Sequence, residues 1–150
     1  MTTTPGGDLP MRTEDGRPSL DGLVAAMPFA GAIGLELTQA EPREVRGALA
    51  WRQSLCTVGG ALHGGAIMAF ADSLGGICAY LNLGPGETTT TIESKTNFFR
   101  GVREGRVQGV SEPLHVGRST VVVQTDLFDD TGRRVARVTQ TQARVAAPTS

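Results

Sequence analysis

A chain of 150 residues can bury the core of one globular domain but hardly of two. Its 14 basic and 15 acidic side chains give a formal net charge of −1, and no run of lysine or arginine makes the stripe that nucleic acid or an anionic membrane would select. Cys56 and Cys78 stand apart without metal-ligand spacing, so they read as small apolar side chains, and no metal is expected.

The opening "MTTTPGGDLPMRTEDGRPSL" has no charged segment followed by an apolar one, so it does not read as a signal peptide. No apolar stretch approaches the roughly 20 residues of a membrane-spanning helix. A cytoplasmic protein is expected. Residues 1–18, rich in Thr, Gly, Pro and charge, are expected as a mobile tail. The folded domain is expected over 19–146, and 147–150 as a short C-terminal tail.

Ser19 then stands as N-cap to a short helix, "LDGLVAAMPF", with Pro28 near its end. "IGLELTQAEPREVRGALAW" reads as two strands about a turn at Glu41–Pro42–Arg43. The segment from His63 to Leu83 is the one long helical candidate, closed by "LGPG". After Gly86 the chain turns to Thr and Val in four strand-like runs, separated by "RGVR", "LHVG" and "DDTG". With no helix between them, consecutive strands are expected to pair antiparallel. The fold class is α+β, a curved antiparallel sheet wrapped around one long central helix.

That helix has two faces. Ile67, Phe70, Leu74, Ile77 and Leu81 recur at helical spacing and form an apolar stripe for the sheet. Gly65, Met68, Ala69, Asp72, Gly76 and Ala79 share a second side, flanked by Gly75. Interior helical glycines cost about 1 kcal/mol each relative to alanine. Gly75 and Gly76 are therefore expected to admit something close, a partner helix, a ligand or both. Among such small neighbours Asp72 reads as a functional, partly desolvated carboxylate.

"HGG" adds a second group. Gly64 and Gly65 fall in the first helical turn, where N–H groups lack intrahelical partners and the helix dipole is positive. Such a start can stabilise the oxyanion that forms when a carbonyl is attacked. His63 precedes it, either a structural histidine bonding to a neighbouring strand or a base. Asp72 lies eight residues beyond Gly64, and eight helical rises span roughly 12 Å. A carboxylate cannot reach back that far. If both groups act on one bond, Asp72 must come from a second copy, with two helices packed antiparallel about a two-fold axis.

The histidine-Gly-Gly start with an acid nine residues after the histidine, followed by "TIESKTNFFRGVREG" and "GRSTVVVQTDLFDDTGRRVARVTQT", resembles the hotdog-fold thioesterases. The resemblance is to the phenylacetate-type (PaaI-like) branch of the 4-hydroxybenzoyl-CoA thioesterase superfamily, and it runs over residues 20–146. It implies hydrolysis of an acyl-CoA thioester with no cofactor, coenzyme A being part of the substrate. It also implies a homo-oligomer, either a dimer or a dimer of dimers (a homotetramer), with sites between subunits. Asp72 matches the catalytic carboxylate, as nucleophile or general base. Gly64 matches the residue whose N–H polarises the carbonyl, with Gly65 beside it and His63 supporting.

Where the family often carries Asn or Gln, six residues before the histidine, this chain has Thr57, and Gly101 replaces a usual proline. Thr90 or Thr91 falls where a hydroxyl orients water. Met68 is a candidate pocket wall, and Arg100, Arg103 and Arg118 suit the phosphates of CoA. The acyl group suggested by the likeness is aryl or arylacetyl. Rival readings are a non-catalytic acyl-CoA-binding hotdog module and a hotdog hydratase or dehydratase. The latter usually pairs its acid with a histidine in a motif not found here.

Overall fold

A computed structural model describes residues 11–148. Ser19 caps α1 (Leu20–Ala25) as expected, its hydroxyl accepting from the Gly22 N–H at 3.1 Å. Pro28 does not sit near that helix's end. It occupies the first turn of a second helix, α2 (Pro28–Ile33), where a missing N–H costs nothing. Residues 11–18, assigned from sequence to the tail, make a turn in which Arg12 bridges Pro18 and the Ser19 N–H bonds to the Met11 carbonyl. Ala147 donates to the Gly86 carbonyl. The remainder of both expected tails, 1–10 and 149–150, lies outside the described residues.

β1 (Leu35–Glu41) and β2 (Glu44–Ala50) form the expected hairpin, with Glu41 opposite Glu44 and the turn at Pro42–Arg43. The long helix, α3 (Gly64–Tyr80), follows, and then β3 (Glu87–Phe98), β4 (Arg106–Val116), β5 (Thr120–Asp129) and β6 (Arg134–Ala146). The six strands make one antiparallel sheet in the order β1-β2-β4-β5-β6-β3. The expectation that consecutive strands pair fails at one place, since β3 bonds to β6 and not to β4. The helix crosses the sheet after β2, so the chain re-enters on the far edge. The connection 99–105 then returns to β2, whose open edge β4 satisfies.

The apolar stripe faces the sheet. Ile67, Phe70, Leu74 and Ile77 are buried, and Leu81 packs against the same core. Each such side chain contributes roughly 1.5–3 kcal/mol by leaving water. Gly47 on β2 and Gly109 on β4 are register partners under the helix. A Cβ on Gly47 would lie 2.9 Å from Leu74 Cδ2, and one on Gly109 would lie 2.4 Å from Leu74 Cδ1 and 3.1 Å from Phe70 Cε1. The glycine pair is thus a notch that seats Leu74 on the sheet. Cys78, beside the stripe, is buried, and burial and the nearby Glu112 push its thiol up to about 12, so it packs as an inert apolar group. Cys56 is half-buried and likewise free.

Gly109→Ala should cost about 1–3 kcal/mol, the usual penalty of overpacking a filled core. Urea unfolding would show this as a lowered midpoint at unchanged slope. An unaltered midpoint would mean that the helix does not press on the sheet there.

Candidate active site

The start of α3 is fixed from three directions. The Leu62 N–H donates to the Val102 carbonyl and the His63 N–H to the Leu55 carbonyl, each at 2.8 Å. The loop 57–60, which turns through the positive φ of Gly59 and Gly60, is held by the Trp51 indole donating to the Gly60 carbonyl. His63 is the N-cap itself, and its Nδ1 accepts from the Gly65 N–H at 2.8 Å. Accepting there puts the proton of the neutral ring on Nε2.

This cap separates two glycines that the sequence leaves equivalent. The Gly65 N–H is taken by His63, and the Ala66 N–H by the His63 carbonyl. The Gly64 N–H makes no hydrogen bond among the described residues, at the positive end of a 17-residue helix. The Phe98 ring lies over Gly64, with Cζ 3.2 Å from where a Cβ would be, so glycine keeps that approach open. A cavity of about 360 Å³ beside it is lined by Gly64, Ile67, Phe98, Phe99 and Arg100.

Asp72 is exposed in the single chain rather than desolvated among small residues. Its Oδ1 accepts two hydrogen bonds, from Gln140 Nε2 at 2.6 Å and from the Thr91 hydroxyl at 3.2 Å. Thr91 in turn accepts from Gln142 Nε2 at 2.8 Å. Of the two threonines offered by the sequence, Thr91 is therefore the one that reaches the carboxylate. Thr90 lines the same groove.

Gly75 is explained by the chain's own sheet and not by a partner helix or ligand. A Cβ there would fall 1.5 Å from Gln140 Oε1. Gly76 differs, since a Cβ on it would meet nothing within 4 Å. It opens onto a groove of about 520 Å³, lined by Asp72, Met27, Ile77, Tyr80, Thr91 and Gln142 among others.

Gln140 and Gln142 are absent from the residues expected from sequence, although "VTQTQA" carries a signal. Residues two apart on a strand share a face, so both glutamines follow Val138 onto the inner side. Two buried amides on an otherwise apolar face need partners.

The remaining candidates scatter. Met68 is 38% exposed on α3, one turn before Asp72. Thr57 is exposed in the loop, its N–H bonded to the Ala61 carbonyl. Arg100 and Arg103 lie in the connection 99–105, whereas Arg118 lies in the β4–β5 turn. The 11 residues of β4 separate these groups by about 35 Å, so one chain does not bring the three arginines together. None of the three makes a side-chain hydrogen bond or ion pair among the described residues. Among those residues no cluster suited to a metal occurs, and no helix is long and apolar enough to cross a membrane.

His63→Ala should cost about 1 kcal/mol by removing an N-cap, and His63→Asn, a good capping residue, should restore most of it. Equal unfolding midpoints for the alanine variant and the native chain would refute the cap.

The chain matches the thioesterase superfamily over residues 59–136. A Mycobacterium tuberculosis protein provisionally named an esterase is 34% identical over 118 residues, covering 77% of this chain and 84% of that one. The 1,4-dihydroxy-2-naphthoyl-CoA hydrolase of Escherichia coli is 42% identical over 74 residues, 49% of this chain and 54% of that one. Among solved structures, a variant of a Pseudomonas aeruginosa thioesterase superposes with a TM-score of 0.82 at 28% identity, covering 87% of this chain and 96% of that one. Matched in sequence from the loop before α3 into β6, and in shape over the sheet and its central helix, the chain belongs to the thioesterase superfamily and is a thioester hydrolase of the hotdog fold.

Proposed function

We propose that this chain hydrolyses an acyl-CoA thioester at a site shared by two subunits, in the manner of the PaaI-like branch. The observation that carries the reading is the pairing of one free N–H with one half-free carboxylate. Gly64 offers the unengaged donor at the start of α3. Asp72 is held through Oδ1, and its Oδ2 has no partner among the described residues. The two lie eight helical rises apart, roughly 12 Å, so they meet on one carbonyl only across a two-fold axis.

β3 supports such pairing. It is a 12-residue edge strand bonded on one side only, and Ile92 on it is 61% exposed. A long unprotected edge invites a second copy. A dimer, or a dimer of dimers, would close it.

In the reaction the thioester oxygen accepts from the Gly64 N–H, where helix dipole and donor stabilise the developing negative charge. Asp72 of the other subunit then attacks the carbonyl carbon, giving a mixed anhydride that water cleaves, or takes a proton from an attacking water. Both routes use the free oxygen. The C–S bond breaks, and the CoA sulfur leaves as thiolate and takes up a proton. No cofactor enters, coenzyme A being part of the substrate.

The groove beside Asp72 has the volume of a small-molecule pocket. Tyr80, Thr91 and Gln142 give it polar points on an apolar wall, which suits a substituted aryl or arylacetyl group. The name of the Escherichia coli relative, a hydrolase of an aromatic CoA thioester, agrees. Met68 and Thr90 border the acyl group, Thr57 stands near the attacked carbonyl, and Arg100 and Arg103 meet the phosphates from the Gly64 end. Arg118 would have to come from another subunit.

Thiol release from a panel of short, medium and aryl acyl-CoAs tests this. The native chain should turn over at least one class, and Asp72→Ala and Asp72→Asn should each lose at least ~10²-fold in kcat. Binding without thiol release would favour a non-catalytic module instead, and hydration of an enoyl-CoA would favour a hydratase.

A further inference from the structure

We infer that Gln140 and Gln142 are positioning residues that select which oxygen of Asp72 meets the thioester. The inference rests on the thioesterase reading and adds to it a support that the motif around His63 does not contain.

Gln140 is not explained by stability, whereas Gln142 is bonded at both ends of its amide. They are 0% and 1% exposed, on the inner face of a strand whose preceding inward residue, Val138, needs no partner. A buried amide is unfavourable unless both its ends are bonded. Gln140 meets only half of that condition, because Oε1 is buried with no partner among the described residues. Admitting it also requires glycine at position 75, in the interior of α3. Two unfavourable features are thus kept, and their common product is one hydrogen bond of 2.6 Å, from Gln140 Nε2 to Asp72 Oδ1.

The second arm runs in one direction. The Thr89 hydroxyl lies 3.1 Å from both Gln142 Oε1 and the Ala143 carbonyl, which turns the amide so that Nε2 points at Thr91. A hydroxyl oxygen that accepts from that N–H directs its own proton elsewhere. It goes to Asp72 Oδ1. Both arms end on the same oxygen. A carboxylate has two chemically equal oxygens until something distinguishes them, and here two donors do. The side chain, exposed and otherwise free to rotate, is held with Oδ2 available to the groove that Asp72 lines.

The test measures kcat and KM for thiol release by the native chain, Gln140→Met, Gln142→Met, Asp72→Asn and the Gln140→Met/Asp72→Asn double variant. Methionine keeps the length and burial of glutamine and removes the donor. Gln140→Met should lower kcat roughly 10- to 100-fold, as a misplaced reacting group does, and leave KM within about twofold. Gln142→Met, acting through Thr91, should lose less. In the Asp72→Asn background Gln140→Met should cost less than about twofold more, since the group it positions is gone. An unchanged kcat, or a loss that persists in full beside Asp72→Asn, would overturn the inference. If Gln140→Met fails to fold, Gln142→Met decides by the same kcat reading. If the native chain releases no thiol, the thioesterase reading has failed, and crystals of the native and Gln140→Met chains then decide separately. A displaced Asp72 side chain in the variant would support the positioning, and an unmoved one would overturn it.

Discussion

Leu74 lies where side chains on Gly47 and Gly109 would begin, and Gln140 lies where one on Gly75 would begin. These two contacts bring α3 closer to the sheet than ordinary side chains allow, and the site depends on that closeness. The first is apolar and anchors the helix over β2 and β4. The second is polar and brings β6 within hydrogen-bond reach of Asp72, a residue on the opposite side of Gly75 from the anchored core. The unfavourable terms of glycine within regular structure are offset by the burial of Phe70 and Leu74 in one case. In the other they are offset by nothing the single chain shows except the order of a carboxylate.

The same economy of donors governs the helix start. A first turn leaves several N–H groups without partners, and a site needs only one of them. His63 removes the Gly65 N–H, its carbonyl removes that of Ala66, and the Gly64 N–H remains. The histidine therefore acts through the architecture of the turn. Its capping nitrogen selects the donor, much as the two glutamines select the acceptor on Asp72.

Much of this was legible from residues alone. The stripe from Ile67 to Leu81, the Ser19 cap, the β1–β2 turn and the histidine-Gly-Gly start each rest on local chemistry, and the structure reproduces them. What depended on distant segments was not legible. The pairing of β3 with β6 follows from where α3 crosses the sheet, which adjacency in sequence does not encode. Pro28 opens a helix instead of ending one, a local effect, since its ring holds Met27 out of helical backbone and suits the first turn that follows. Gly75 reads in the sequence as room for a partner helix or ligand, and what fills that room is a glutamine 65 positions later in the same chain. Arg118 suits phosphate as Arg100 and Arg103 do, but the length of β4 stands between them.

On the proposed reading, a free donor and a half-free carboxylate on one helix, too far apart to share a bond, make each chain half of a site. Subunit complementation tests that claim most directly. Asp72→Asn removes the carboxylate, and Gly64→Pro removes the donor at a helix position that tolerates proline. Each variant alone should lose at least ~10²-fold in thiol release. Co-expressed, half of the dimers are mixed and each has one intact site, so about a quarter of the native rate should return. Mixed dimers that form but stay inactive would contradict the account, as would full activity in a native chain that is monomeric.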